Sequence, residues 1–150
     1  MAEETDVQGV AAAVTQSLEE AECLRLIAAG GVGRIGYTGR FGPTILPVNF
    51  VLHEQTIVFR TGQDSPMGED LRTGIADAEY KVAFEVDEIN PATKEGWSIL
   101  IQGSAHHVDS AGELAEAQQS GVQAWPGGAK DLFIRIVPDR ITGRRISQAG

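Results

Sequence analysis

The chain has 150 residues, 42% of them apolar and 22% charged, with 12 Lys and Arg against 21 Asp and Glu for a formal charge of -9. That length suits one domain burying roughly 68–70% of its unfolded surface, no stretch nears the roughly 18 unbroken apolar residues of a membrane span, and the acidity argues against a nucleic-acid partner while leaving room for a small phosphorylated ligand held by a few donors. Cys23 is the single cysteine, and Met1 to Gln8 lacks the basic-then-apolar pattern of a secretory signal, which together predict a soluble cytoplasmic protein.

Residues 1–16, rich in Ala, Glu and Thr without clear period, read as a flexible lead-in to a single domain over 17–150. Ser17 followed by Leu18-Glu19-Glu20 has the spacing of a capping box. With Leu24, Ile27 and Ala28 at helical spacing and Gly30-Gly31 as a left-handed stop, a helix is expected over about 18–29. The period then falls towards two. Val32 to Tyr37 reads as a strand and Thr38 to Gly42 as a hairpin tip; from Thr44 to Leu52 the residues Leu46, Val48, Phe50 and Leu52 share one apolar face while Pro47 and Asn49 point the other way. His53-Glu54-Gln55 breaks the pattern before Thr56 to Thr61, so these two strands should pair as a hairpin. A loop from Gly62 to Pro66 leads to a short helix ending near Ala76, then to alternating Tyr80, Val82, Phe84 and Val86. Past Asn90-Pro91, a long strand from Trp97 to about Val108, a surface helix from Ala111 to Ser120 and a last strand from Leu132 to Val137, leaving at Pro138-Asp139, complete the chain. Hairpins rather than regular helical crossovers make this a mainly β fold of about six strands, an antiparallel sheet closing into a barrel.

Gly31, Gly33 and Gly36 spell the dinucleotide-binding GxGxxG, but here a helix precedes and a strand follows, the reverse of what brings a pyrophosphate to a helix N-terminus. No metal-ligand spacing is visible: the adjacent His106 and His107 should face opposite sides of a strand, one inward and one solvated. Cys23, among apolar helix residues, reads as a buried inert thiol. Pro47 and Asn49 on one face fit either a strand lining a ligand cleft or a half-exposed edge. Arg60 ends its strand as Ser65 follows in the loop, which suits a phosphate cradle as well as a solvated guanidinium.

The order of Gly33-Arg34-Ile35, Pro47-Val48-Asn49-Phe50, Val58-Phe59-Arg60-Thr61, Val82 to Asp87, Gly96 to Gly103 and Ile141 to Arg145 resembles the pyridoxamine 5′-phosphate oxidase-like, FMN-binding split β-barrel family, in its small actinobacterial-type branch, over about residues 17–146. The resemblance implies a six-stranded split barrel and a homodimer with two flavin sites at the subunit interface. The FMN phosphate would lie at the loop after Phe59-Arg60-Thr61, near Ser65 and Met67, and the ring along Pro47, Val48, Asn49 and Phe50. Trp97, Ser98 and Gln102 would stand nearby, from the same subunit or its partner. It implies a flavoprotein that passes hydride or electrons to a small organic acceptor, the cofactor carrying the chemistry without an acid-base dyad. Family members often have a basic residue in this loop, where the chain has Gln63-Asp64-Ser65-Pro66-Met67, so Asp64 should weaken the phosphate contact. Two alternatives are a deazaflavin-dependent reductase, whose anionic tail would need Arg34, Arg40, Arg60 and Arg72, and a non-enzymatic dimeric module that binds no cofactor.

Overall fold

The computed structural model describes residues 13–62, 65–71, 80–122 and 132–148. The strands are β1 (Ala13–Leu18), β2 (Gly31–Gly39), β3 (Gly42–His53), β4 (Thr56–Thr61), β5 (Tyr80–Asn90), β6 (Glu95–His107) and β7 (Leu132–Gln148), with helices α1 (Glu20–Leu26), α2 (Pro66–Asp70) and α3 (Ala111–Gln119) in the connections; apolar side chains alternate along β3, β5 and the inner part of β6. Every pairing is antiparallel. The sheet runs β1-β7-β4-β3-β2-β5-β6, and an additional β7–β6 pairing closes the ring of six strands. The described strands therefore number seven, six in the barrel and β1 appended to β7. Closure removes the edges that an open sheet would leave unpaired.

The ring is tight everywhere except between β2 and β5, which share only the register Arg34↔Glu85 to Gly36↔Ala83. Inside it, Ile35, Val48, Phe50, Phe59, Val82, Phe84, Ile99, Ile101, Ile134 and Ile136 form the core, and Phe84 meets the Phe50 ring edge-on at 5.2 Å. Gly33 is bare because the Phe84 ring occupies the space a β-carbon would need. A second apolar cluster of Val58, Val108, Ala117, Val122 and Phe133 lies outside the barrel where α3 covers β4 and β7.

Several expectations are corrected. Ala13 to Gln16 are not a loose lead-in but part of β1, whose partners on β7 run from Ala13↔Gln148 to Leu18↔Gly143. Ser17 belongs to that strand, so no capping box forms: the N-cap of α1 is Glu19, without a side-chain bond, and the helix stops at Leu26. Favourable charges take over, with Glu20 and Glu22 in the first turn and Arg25 in the last. Pro138 does not end the final strand. It falls at an irregularity where the partner of Gln102 is Arg140 and that of Gly103 is Pro138, leaving Asp139 as an extra residue, and β7 runs on. Among the described residues no helix is long and apolar enough to cross a membrane.

Candidate functional site

A barrel strand turns alternate residues to its outside, and from β4 to β6 that outer face carries the polar positions that the sequence singles out. On β3 the buried Val48 and Phe50 face the core while Pro47 and Asn49 face out; across the β2 ladder Asn49 meets Val32 and Pro47 meets Arg34. The next row sets Ile45 beside Gly36, Gly36 beside Ala83, Ala83 beside Gln102 and Gln102 beside Arg140. Gly36 and Ala83 are small, so this row sinks into an open groove of about 500 Å³ that Ile45, Gln102, Lys81 and Asp139 help to line.

Of the twelve residues expected at a cofactor site, five outward ones lie on this face: Pro47, Asn49, Arg60, Ser98 and Gln102. Ser98 sits between Asp87 and Arg144, and the Gln102 Oε1 accepts from Arg140 at 3.3 Å. Val48, Phe50, Phe59, Thr61 and Met67 are buried, and Trp97 packs partly buried against the core, so these contribute backbone or support. Ser65 is engaged: its hydroxyl donates to the Gly62 carbonyl at 2.7 Å, accepts from the Gly68 amide at 2.9 Å and lies 3.0 Å from the Thr61 hydroxyl. That network caps α2 and leaves little capacity for a phosphate. Gln63, Asp64 and Arg72 lie outside the described residues.

Arg60, unlike Arg34 and Arg40, has no carboxylate partner among the described residues. It lies one residue past the Phe50↔Phe59 pair with which the β3–β4 ladder ends. Its guanidinium lies 5.0 Å from the centre of the Phe133 ring, its cross-strand partner. Its Nε is shut off from solvent and has no hydrogen-bond partner among the described residues. A buried guanidinium donor without an acceptor is costly, and an anionic ligand oxygen is the group that would satisfy it. By contrast Arg34 faces Glu85 at 3.6 Å and Asp87 at 3.9 Å, and Arg40 holds Asp70 at 2.7 Å and Glu69 at 3.0 Å.

Glu85 and Asp87 were missed by sequence reasoning, although their i, i+2 spacing on a strand puts both on the outer side beside Arg34. Burial, reinforced by the hydrogen bond and charge of Asp87 and opposed by Arg34, pushes the Glu85 carboxyl up to about 7. Phe133 was also missed, because nothing in its own strand reveals that it will underlie Arg60. His106 and His107 are both half-buried rather than one inward and one solvated, and His106 Nε2 lies 2.7 Å from Glu113. Cys23 is fully buried, and desolvation raises its thiol above the ordinary range.

The profile of the family described as pyridoxamine 5′-phosphate oxidase matches residues 19–145. The chain belongs to the pyridoxamine 5′-phosphate oxidase family. Within it, the chain is 32% identical over 129 residues to the uncharacterized protein Rv0080 of Mycobacterium tuberculosis, spanning 86% of this chain and 84% of that one. Among solved structures it superposes on the FAD binding protein from Mycobacterium smegmatis with a TM-score of 0.70 and 30% identity, over 87% of this chain and 98% of the other. A FAD-binding protein from Mesorhizobium loti has the same fold at a TM-score of 0.69 and 19% identity, covering 91% and 99% of the two chains. The antiparallel split barrel expected from the sequence is thus the architecture of this pyridoxamine 5′-phosphate oxidase family member.

Proposed function

We propose that this family member is a flavoprotein, binding its flavin on the outer face around Pro47, Asn49 and Arg60 and working as an oxidoreductase on a small organic acceptor. The observation that carries the reading is the buried Nε of Arg60, which has no hydrogen-bond partner among the described residues and belongs to a guanidinium lying over Phe133. A bound flavin supplies the hydride and electron transfer; the chain supplies position and electrostatics. Arg60 would take the phosphate, with Pro47 and Asn49 along the ring. The family resemblance favours FMN, while the M. smegmatis relative is named for FAD, so both belong in the assay.

An outer barrel face is convex, and a planar ring needs a second wall. A second copy of the chain is the natural one, since Phe41, Ile45 and Val32 leave apolar side chains 93%, 71% and 46% exposed on the hairpin that borders the groove. The deazaflavin alternative is weaker, because two of the four arginines that its anionic tail would need, Arg34 and Arg40, are already held by carboxylates. A degenerate site without cofactor draws support from the engaged Ser65 hydroxyl and the buried Met67.

Titration of the purified protein with FMN, FAD and a deazaflavin, followed by flavin fluorescence and the visible spectrum, separates these readings. We expect FMN or FAD to bind and Arg60→Ala to weaken that binding about 10–100-fold, the loss of one charge-assisted contact. A colourless protein that binds none of the three would defeat the flavoenzyme reading in favour of the cofactor-free module. Binding unchanged in Arg60→Ala would remove Arg60 from the site.

A further inference from the structure

The β3–β4 turn and helix α3 come from sequence positions about sixty residues apart and meet on the outside of the barrel, away from the Gly36–Ala83 groove. There a ring nitrogen of His53 and one carboxylate oxygen each from Glu54 and Glu116 all lie within 4.8 Å of one another. We propose that these three residues form a site for a zinc-type divalent cation that clamps α3 to the β3–β4 turn.

The donor set suits such an ion: one imidazole nitrogen and two carboxylate oxygens match the three protein ligands that leave a further position open to water. Tetrahedral ligation at about 2.0–2.1 Å would set the ligand atoms about 3.4 Å apart, so rotations of the two exposed glutamate side chains close the remaining gap. The cluster is not explained by its protein neighbours. Glu54 has no cationic partner among the described residues, and Glu116 has only Arg135 Nη2 at 3.6 Å. Two carboxylates so close repel each other, which an intervening cation reverses. His53 Nε2 is also shut off from solvent with no hydrogen-bond partner among the described residues, a capacity that a bound ligand would fill.

The surroundings are built to hold the donors still. The His53 carbonyl accepts from the Thr56 hydroxyl at 2.6 Å, and that hydroxyl accepts from Arg135 Nη1 at 2.8 Å. Glu54 and Gln55 both take left-handed φ values, 51° and 66°, as a two-residue hairpin turn requires. Glu116 is set on α3, whose N-cap Ser110 accepts from the Glu113 amide. The sequence shows no metal signature here because His53-Glu54 and Glu116 have no characteristic spacing; only the fold brings them together.

The test is isothermal titration of the chelator-treated full-length protein with Zn²⁺, and with Mn²⁺ and Mg²⁺ for comparison. One equivalent of Zn²⁺ should bind with micromolar or tighter affinity, Mn²⁺ more weakly and Mg²⁺ not measurably, and substitution by Co²⁺ should give a visible absorption band that His53→Ala alters. His53→Ala and Glu116→Gln, checked for folding by circular dichroism, should each weaken Zn²⁺ at least tenfold, whereas His106→Ala and Glu88→Gln should not. His53→Ala keeps the carbonyl that anchors the turn, so its fold should survive. Millimolar or weaker Zn²⁺ binding, or binding lost with His106→Ala and kept with His53→Ala, would overturn the proposal.

Discussion

Glu85 shows how a single side chain can set a pH response from the surface of a barrel. It stands on the outer face opposite Arg34, with Asp87 two residues on, and partial burial together with the Asp87 carboxylate makes its charged form unfavourable. Its carboxyl therefore moves from an ordinary 4.5 to about 7 in the folded chain. A group that binds its proton more tightly when folded stabilises the fold fully below its unfolded value, and that contribution is lost as pH rises through the folded value. The window for Glu85 thus runs from about pH 4.5 to about pH 7, with stability falling as pH rises. Glu85→Gln keeps the shape and removes the titration, so thermal unfolding measured across that window should show a shallower decline than the parent chain. Parallel curves for the two proteins would mean that Glu85 does not carry the effect. The same side chain lies 3.6 Å from Arg34 and so offsets part of that guanidinium's charge when it is ionised.

Strand β7 is the element that closes the barrel, and its weak point is the irregularity opposite Gly103. One edge of β7 pairs with β4 over Leu132 to Ile136 and with β1 over Gly143 to Gln148; the other pairs with β6 from Ile134 to Ile146. The extra residue Asp139 lets the strand bend between those two partners. A β-carbon on Gly103 would overlap the Val137 carbonyl oxygen and come within 2.9 Å of the Pro138 α-carbon, both backbone atoms that cannot rotate away. Gly103→Ala should therefore cost about 1–3 kcal/mol or more, lowering Tm by several degrees. Gly112→Ala, in α3 with open space around it, should instead gain about 0.5–1 kcal/mol. Equal melting temperatures for the two variants would contradict this account of the bulge. The same element marks where the sequence stops being legible. Strands whose apolar residues alternate, such as Leu46, Val48, Phe50 and Leu52 on β3, announce themselves. By contrast Arg140 to Gln148 is largely polar and half-buried, and Val14 to Ser17 is exposed; the first is a strand because β6 and β1 pair with it, and the second because β7 does. No local pattern records those pairings. The site was legible in the same partial way: alternation turns Pro47 and Asn49 outward, but only the fold reveals Phe133 beneath Arg60 and the Ser65 hydroxyl spent on capping α2.

At the scale of the whole molecule, closure fills the inside of the barrel with side chains and leaves its polar positions on the outside. The interior is filled by three phenylalanine rings and a dense set of Ile and Val, with Phe59 stacked 6.5 Å from Phe84. The polar residues left for binding spread over the outer surface from Arg60 on β4 to Gln102 on β6, and the strands between are β3, β2 and β5. At about 4.8 Å per strand that is about 19 Å along a convex surface, too open to exclude water from one face of a ring. A second barrel laid against the groove would bury Ile45 and supply the opposite wall. The dimer and the flavin site should then stand or fall together. Ile45→Glu puts a charge on a side chain that is 71% exposed in the single chain, so it should leave the monomer folded while forbidding its burial against a second copy. Light scattering should find the parent chain dimeric and Ile45→Glu monomeric, with flavin affinity falling at least tenfold in the variant. A monomeric Ile45→Glu that binds flavin as well as the parent would show that one barrel suffices, and a dimeric one would move the interface off the β2–β3 hairpin.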